Sequence, residues 1–585
     1  MEKRRVLIYE PGYIYKHPRS RPMENTLPAV EKSRRRVPVL ASATSLSVYR
    51  AALLLGHSKR DAARLAQAPR SSLEAWDAPQ STPFDPALRR ILETPEGITG
   101  LQKIICSALL TFVVNAGVGV PTFTRWLAES GLSSFVVASV SKWQELSRTM
   151  QDIVVEVCDA EQLRLAKMMR APKEVVLGLD ETFFPEMCLV AGDLESGFLF
   201  FEELSENRSA ATWASNWEKN TNNLNLKLVQ AVSDGGLGIR GFVESYLGIH
   251  RSPDLFHILH DVSRGLSLFL ARRERAAQEK VDKTRAIYTE LRTVAEIAEK
   301  TRKRGRPIPY PKYLAEARGH IASAEKQLQI AEARRDQFRD LLHELSNEYL
   351  PFCIDDGTRK GSSYLAIRIK SIFAKIHTLA KAVSLPEGLQ ESLWKAERCI
   401  PSMIANLEFF SRESEILMRK YGITGTHAST VHSCLVPAAL IQRRLGQLTS
   451  EGGERLRLRA QELIKDGMHR LGEDGNSEKM RNFYLRVAAI IASRWHRSSS
   501  AIEGRNGLLS QRHHSLRGLD GRKLRCLTCL ANYYARRSDG STAANRLFGR
   551  EHLNLADAVT VRMPTITRAL RRKKSETHKI DRLCA

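Results

Sequence analysis

Residues 174–184 read EVVLGLDETFF, and this stretch decides what kind of core the chain builds. Its first six residues form a short apolar run, typical of a buried β-strand, and the run ends at Asp180. Further β-rich segments follow at 187–191, 197–201, 227–232 and 253–256. Helical patterns at 209–217 and 235–247 lie between them. The order of three strands, a helix, a strand, a helix and a strand predicts an α+β core around a mixed sheet.

Two aspartates stand at strand ends in this pattern. Asp180 closes the first predicted strand, and Asp234 closes the fourth. If those strands are neighbours, their carboxylates converge and can hold a pair of divalent cations, Mg²⁺ or Mn²⁺. The alternative is structural, because an aspartate that precedes two glycines, as Asp234 does, commonly caps a turn.

A third carboxylate usually completes such a site from a later helix, and Glu503 is our candidate. It lies in the polar segment SSSAIEGRNG, residues 498–507, beside Arg505, whose charge suits a phosphate contact. Glu473 and Asp474 compete for the role, but they lie in a Gly-rich connection where acids are commonly solvated turn residues. His257 either orients an acid or a phosphate, or is a buried histidine satisfied by backbone groups.

The charge balance indicates a polyanionic partner. The chain has 585 residues, with 90 Lys and Arg against 65 Asp and Glu, a formal net charge of +25. Neutralising phosphates with such an excess releases counterions, so nucleic acid is the first expectation. The alternative is a basic soluble protein without a polyanionic partner. The length exceeds one hydrophobic core, and 43% hydrophobic residues argue against a largely disordered chain.

The sequence gives little support for several other classes of protein. Nine scattered cysteines read as reduced thiols, and the lone Cys526–Cys529 CxxC favours core thiols over a zinc site. The apolar stretch 104–120 is short for a membrane span, so we expect a buried helix and no membrane domain. The start carries no apolar segment of signal-peptide length, which favours a cytoplasmic, nucleoid-associated protein. Neither a GxxxxGK[ST] loop nor an HExxH or GxSxG motif is found.

Several regions outside the core have patterns that suit DNA. Helical pairs with Ser58 and Ser133 as predicted caps fit helix-turn-helix units, although such pairs also occur in domains that bind nothing. Apolar residues at heptad spacing predict a long antiparallel coiled-coil hairpin, with a seam that includes Ile287 and Val294. Its turn contains RGRP, the core of an AT-hook, in which Arg304 and Arg306 would lie along an A·T-rich minor groove. The alternative is a proline turn with exposed cations.

The chain ends in a second basic segment. Its charged run Arg571, Arg572, Lys573 and Lys574 is either a phosphate-binding tail or a solubility tail.

The motifs LGLDETFF (177–184), AVSDGG (231–236) and SSSAIEGRNG (498–507) resemble those of bacterial insertion-sequence transposases of the DDE class. The resemblance implies a ribonuclease H-like catalytic domain in which Asp180, Asp234 and Glu503 hold two metal ions. Asp254 and His257, in DLFH, resemble the (C/D)xxH element of Mutator-type and hobo/Activator-type enzymes and are possible accessory residues. The long separation of Asp234 from Glu503 requires a large helical insertion within the core.

The resemblance also implies an activity and partners. Such enzymes cleave phosphodiester bonds at mobile-element ends and join the 3′-hydroxyl to target DNA, acting as dimers or larger assemblies on double-stranded DNA. A transposase-derived DNA-binding protein without catalysis and a ribonuclease H-like nuclease without strand transfer are the alternatives. The expected organisation is a basic arm (1–40), a helical region (41–170), the first part of the core (171–262), the hairpin (263–350), a helical insertion (351–490), the last part of the core (491–540) and a basic tail (541–585).

Overall fold

The structure, a computed structural model, describes residues 39–77, 86–137, 139–184, 186–301, 307–445, 451–472, 477–515 and 518–567. The predicted basic arm up to residue 38, Arg304, Arg306 and the run 571–574 lie outside the described residues. Within them the chain is α+β and mostly helical, with one mixed five-stranded sheet. The predicted fold class is confirmed at this level.

The sheet contains strands β1 (Lys173–Phe184), β2 (Glu186–Asp193), β3 (Leu199–Ser205), β4 (Leu226–Ser233) and β5 (His250–Pro253). Their order across the sheet is β3-β2-β1-β4-β5. The β1–β2 and β2–β3 pairs are antiparallel, as a meander of consecutive strands requires, whereas β1–β4 and β4–β5 are parallel. Two predicted bounds are wrong: β1 continues past Asp180 to Phe184, and β5 ends before Asp254, since Asp254 caps the next helix.

Helices before the sheet are α1 (Val39–Leu54), α2 (Lys59–Leu65), α3 (Arg70–Asp77), α4 (Pro86–Leu92), α5 (Pro95–Ala108), α6 (Val120–Glu129) and α7 (Val140–Lys167). A π-helical segment, Leu109–Asn115, and a 3₁₀ turn, Leu132–Ser134, lie on either side of α6. Ser58 caps α2, as predicted, by accepting a hydrogen bond from the Asp61 amide. The predicted cap at Ser133 is wrong, because Ser139 caps α7 and accepts from the Lys142 amide.

Helices within and after the sheet are α8 (Ala210–Thr221), α9 (Leu237–Arg240), α10 (Leu255–Lys300), α11 (Tyr310–Glu348), α12 (Ser362–Ala382), α13 (Glu387–Glu397), α14 (Ile400–Lys420), α15 (Gly425–Thr430), α16 (Val436–Leu445), α17 (Glu451–Arg470), α18 (Glu478–Ala492), α19 (Ser500–Ser515), α20 (Gly521–Tyr533), α21 (Ala543–Phe548) and α22 (Leu555–Arg562). Short π-helical segments, Gly241–Tyr246 and Val431–Leu435, follow α9 and α15. Helices α10 to α18 therefore all lie between β5 and the helix that carries Glu503.

Two compact units divide the chain. The first comprises Met1–Ile98 and Thr567–Ala585, and Leu46, Tyr49 and Leu73 are among its buried core residues. The second, Thr99–Ile566, has two hydrophobic cores. One core joins α7, the sheet, α8, α19 and α20, and the other joins the first turns of α10, the end of α11 and helices α12 to α18.

Helices α10 and α11 form an antiparallel hairpin. Arg335 of α11 pairs with Glu274 near the start of α10 at 2.7 Å, and Glu325 pairs with Arg285 further along at 2.6 Å. Val281, Ala324 and Phe338 are buried between the helices. The predicted seam is wrong at two positions on α10, because Ile287 is 59% exposed and Val294 is 50% exposed. The contact instead passes through Val281, and Tyr288 stays close enough to accept a hydrogen bond from Arg318.

One described helical stretch, Pro95–Asn115, is long and apolar enough to cross a membrane by length and composition alone. In its most apolar window 44% of the residues are buried inside the protein, among them Ile105 and Leu109. Cys526 and Cys529 are buried side chains of α20 in the same core.

Candidate metal centre

Asp180 lies within β1 and faces the helices that follow the sheet. Only 7% of its side chain is exposed. Its Oδ1 accepts the Glu181 amide at 2.9 Å, and its Oδ2 accepts from Asn506 Nδ2 at 2.5 Å. Burial raises the pKa of the Asp180 carboxyl to about 7, and the nearby Glu503 carboxylate adds to the shift. A cation bound to this carboxyl would stabilise its ionised form, because the cation offsets the cost of burying the negative charge.

Asp234 follows β4, the parallel neighbour of β1. The last pair of the parallel ladder is Gly178 with Val232, and Asp180 and Asp234 each follow that pair by two residues. Adjacent strands lie roughly 4.8 Å apart. Asp234 is exposed, and its Oδ1 accepts the Gly236 amide at 2.9 Å, so the turn-capping role foreseen for it is present. Its charge also raises the pKa of Asp180, which places both carboxylates in one electrostatic site.

Asp254 and His257 lie where β5 passes into α10. Asp254 is buried, and its Oδ1 caps α10 by accepting the Phe256 amide at 2.7 Å. Its Oδ2 accepts both the amide, at 2.9 Å, and the hydroxyl of Ser499, the residue before α19. His257 is in the first turn of α10, and its Nε2 lies 2.7 Å from Oε1 of Glu503. Asp254 thus joins the start of α10 to the start of α19.

Glu503 reaches the site because α19 packs closely on the sheet. Ile502, its neighbour, lies over two glycines: a Cβ on Gly178 would be 2.7 Å from Ile502 Cγ1, and one on Gly192 would be 3.1 Å from Ile502 Cδ1. Side chains at those strand positions would hold the helix away. The glycines therefore permit the approach that brings Glu503 to the edge of β1.

Asp180, His257 and Glu503 form one cluster, in which one ligand atom of each lies within 4.8 Å of the others. His257 Nε2 is 4.0 Å from Asp180 Oδ1. Burial alone would lower the pKa of His257, but the contact with Glu503 and the charges of Asp254 and Asp180 outweigh it and raise the pKa to about 9. The His257 contact in turn lowers the pKa of Glu503. The Glu503 carboxylate thus favours the protonated form of His257.

The donor set fits a divalent cation. Carboxylate oxygens are the ligands that Mg²⁺ prefers. Within the described part of the chain, two buried oxygens at the site make no hydrogen bond: Oε1 of Glu181 and Oδ1 of Asn506. Buried polar atoms ordinarily have partners. Asp180, His257 and Glu503 form the group that could hold a metal ion, Asp234 lies outside that group, and Asn506 donates to Asp180.

Two residues at the site carried no role in the sequence interpretation. Asn506 follows Glu503 by three positions on α19, so helical spacing alone would have placed both on one face. The Glu181 side chain is 5% exposed and pairs with Arg208 at 2.9 Å. Gly236 lies between Glu181 and Asp234: a Cβ on this glycine would be 3.9 Å from both Glu181 carboxylate oxygens and 3.5 Å from Asp234 Oδ1. Only the fold could reveal that neighbourhood.

Arg505 lies elsewhere than the sequence suggested. Two positions after Glu503, it faces the opposite side of α19, where its Nε and Nη2 both donate to the buried Glu202 of β3 at 2.7 Å. Thr528 of α20 donates to the same carboxylate at 2.6 Å. Because 11% of the Arg505 side chain is exposed, we do not include it among the proposed DNA contacts.

Comparisons with known proteins add one family. A family model described as a family of unknown function, DUF6399, matches residues 431–575. This segment contains Glu503 and Asn506 but neither Asp180 nor Asp234. A search of curated proteins finds no match to the chain.

Proposed function

We propose that this protein is a metal-dependent DNA transposase of the DDE class, in which the sheet is the centre of a ribonuclease H-like domain split by a helical insertion. The observation that carries the proposal is the cluster of Asp180, His257 and Glu503 beside the end of β4, where Asp234 lies. Residues distant in sequence meet just beyond the last parallel pair of β1 and β4. The mixed strand order around β1 supports the same domain type.

The mechanism assigns roles to side chains of this chain. Asp180, Asp234 and Glu503 would hold two divalent ions, which when bound supply an activated hydroxyl and a stabilised leaving oxygen for phosphodiester displacement. Asn506 fixes the orientation of Asp180 through its Oδ2. His257 contacts Glu503 and, when protonated, would orient that carboxylate and could bind a phosphate oxygen.

DNA is the proposed partner. The net charge of +25 favours a polyanion, and Arg304, Arg306 and the run Arg571, Arg572, Lys573 and Lys574 remain the proposed contacts. We propose a homodimer or a higher assembly, because joining two element ends to one target requires paired active sites. Nucleoid association in the cytoplasm follows from the same activity.

Cleavage of DNA that carries element ends tests the proposal. Asp180→Asn and Glu503→Gln should each lower the cleavage rate by at least about 100-fold while DNA affinity stays within twofold, because they remove metal ligands and keep the shape. Glu186→Gln, an exposed acid on β2, is the matched control and should cleave normally. Unaltered cleavage by Asp180→Asn would overturn the proposal, and cut ends without joined products would indicate a nuclease instead.

A further inference from the structure

Residues 494–499 form the irregular segment that leads into α19, and we call it the Glu503 leader. Several of its backbone groups form hydrogen bonds with other parts of the molecule. The Arg494 carbonyl accepts Gln230 Nε2 of β4 at 2.7 Å, and the Arg497 carbonyl accepts the Leu255 amide of α10 at 2.6 Å. Asp254 holds Ser499. The position of Glu503 therefore depends on the side chains and amides that hold this leader.

One of these side chains comes from the helical insertion. Asn406 of α14 is fully buried, and its Nδ2 donates to the His496 carbonyl of the Glu503 leader at 3.2 Å. The same Nδ2 donates to the hydroxyl of Tyr349, at the end of α11, at 2.8 Å. Tyr349 is also fully buried. The amide thus ties the insertion and the hairpin to the leader.

The other end of the Asn406 amide faces the sheet. Its Oδ1 accepts the hydroxyl of Ser252 in β5 at 2.6 Å, and Ser252 is also fully buried. Gln230 Oε1 is a second acceptor, 2.8 Å from the same hydroxyl. Ser252 lies just before Asp254 and His257 in sequence. Asn406 therefore bridges the two segments that deliver His257 and Glu503.

The bridge made by Asn406 controls the distance between His257 and Glu503. The Glu503 leader has no regular secondary structure, and β5 is short. Few backbone hydrogen bonds of regular secondary structure therefore hold either segment in place. The buried amide has two donors and an acceptor, and each is engaged. Removing it takes the Asn406 donor away from the buried His496 carbonyl and Tyr349 hydroxyl and breaks the link to Ser252, so these segments would move to find new partners. The 2.7 Å contact between His257 and Glu503 would then be lost or lengthened.

We propose that Asn406 is a positioning residue of the metal centre, through which the helical insertion sets the location of Glu503 relative to Asp180 and His257. This inference rests on the proposed function for its metal site, but it concerns the insertion rather than the acids. It gives the insertion a part in catalysis that does not require it to contact DNA. Its consequence is that metal affinity depends on a side chain remote from the metal.

Binding of Mn²⁺ to the full chain, followed by electron paramagnetic resonance, tests the inference. Asn406→Leu should raise the Mn²⁺ dissociation constant by about tenfold or more, the usual effect of losing a group that orients a metal ligand. Ser252→Ala removes the hydroxyl that contacts both Asn406 and Gln230, and it should raise the dissociation constant by a smaller factor. Ser414→Ala is the matched control, since Ser414 is a fully buried polar residue on α14 that donates to its own helix. It should leave Mn²⁺ binding unchanged.

A second comparison separates positioning from a general structural effect. If Asn406 acts through Glu503, then Asn406→Leu should have little further effect on Mn²⁺ affinity in a Glu503→Gln background. Full additivity of the two substitutions would overturn the inference. Unchanged Mn²⁺ binding by a folded Asn406→Leu variant would also overturn it. If Asn406→Leu does not fold, unchanged Mn²⁺ binding by Ser252→Ala would overturn it instead. A wild-type chain that binds Mn²⁺ without cleaving DNA would refute the proposed function alone, whereas a chain that binds no Mn²⁺ would refute both.

Discussion

His250 shows how a single buried side chain links stability to pH. It begins β5, and its ring stacks on Phe409 of α14 with centroids 4.2 Å apart and an interplanar angle of 9°. Burial lowers the pKa of His250 to about 4, and Arg412 and Arg251 add to that shift. The folded protein therefore keeps this imidazole neutral where the unfolded chain protonates it. The contact belongs to the same junction of sheet and insertion that contains Asn406.

The sign of the effect follows from proton binding. Between pH 6.5 and about 4 the unfolded state binds the His250 proton and the folded state does not, so stability falls as the pH is lowered through this range. The loss contributed by His250 approaches about 3 kcal/mol at its largest. His250→Phe keeps the stacking and should remove this part of the slope. Denaturant unfolding at several pH values measures it, and an equal slope in both proteins would contradict the prediction.

At the scale of elements, the packing of α19 on the sheet determines whether the site assembles. Ile502 fills the space above Gly178 and Gly192, and the next residue on the helix is Glu503. An added Cβ at Gly178 would also lie 2.5 Å from Leu194 Cδ2. The small Gly178 in β1 and the large Ile502 in α19 are therefore complementary in shape. The alternation of side chains along β1 does not by itself reveal this packing.

Gly178→Ala should destabilise the protein by about 1–3 kcal/mol and reduce cleavage, because α19 must move away from β1. Adding Ile502→Val should recover part of both losses by restoring space. Gly507→Ala is the control on the same helix, where an added Cβ meets nothing within 4 Å, and it should leave cleavage unchanged. Thermal unfolding and cleavage rates measure the two effects. Equal behaviour of Gly178→Ala and Gly507→Ala would contradict the argument.

At the scale of the whole molecule, the net positive charge and the long hairpin are the features through which we propose that DNA is reached. The hairpin helices α10 and α11 lead from the metal centre to the segment that contains Arg304 and Arg306, which lies outside the described residues. The first turn of α10 carries His257, so the hairpin is continuous with the site. A contact with DNA flanking the cleaved bond is the use we propose for that extension.

Replacing both Arg304 and Arg306 with alanine should weaken binding to A·T-rich end DNA by about tenfold and make binding less dependent on salt, since fewer counterions are released. Arg292→Ala is the control, because Arg292 is an exposed arginine on α10 paired with Glu296. Affinities measured over a range of salt concentrations check the prediction. End binding that is unaffected by the double substitution would exclude the hairpin turn as a DNA contact.

The sequence alone determined the order of the elements and marked two acids as candidates. An apolar run followed by an acid drew attention to Asp180 and Asp234 without coordinates, although β1 continues past Asp180 to Phe184. The three-strand, helix, strand, helix, strand order followed from the same local signals. The end of β5 was missed because Asp254, which looked like part of a strand, serves the next helix as its cap.

Only the tertiary structure decided which side chains meet. The contacts of Glu503 with His257, of Asn506 with Asp180 and of Asn406 with the Glu503 leader join segments that are distant along the chain, and no local pattern encodes their distances. The rotation of α19 about its own axis is likewise determined by its packing on the sheet. It turns Glu503 toward the site and Arg505 toward Glu202, because two steps along a helix reverse direction and the glycines of the sheet select which face lies inward.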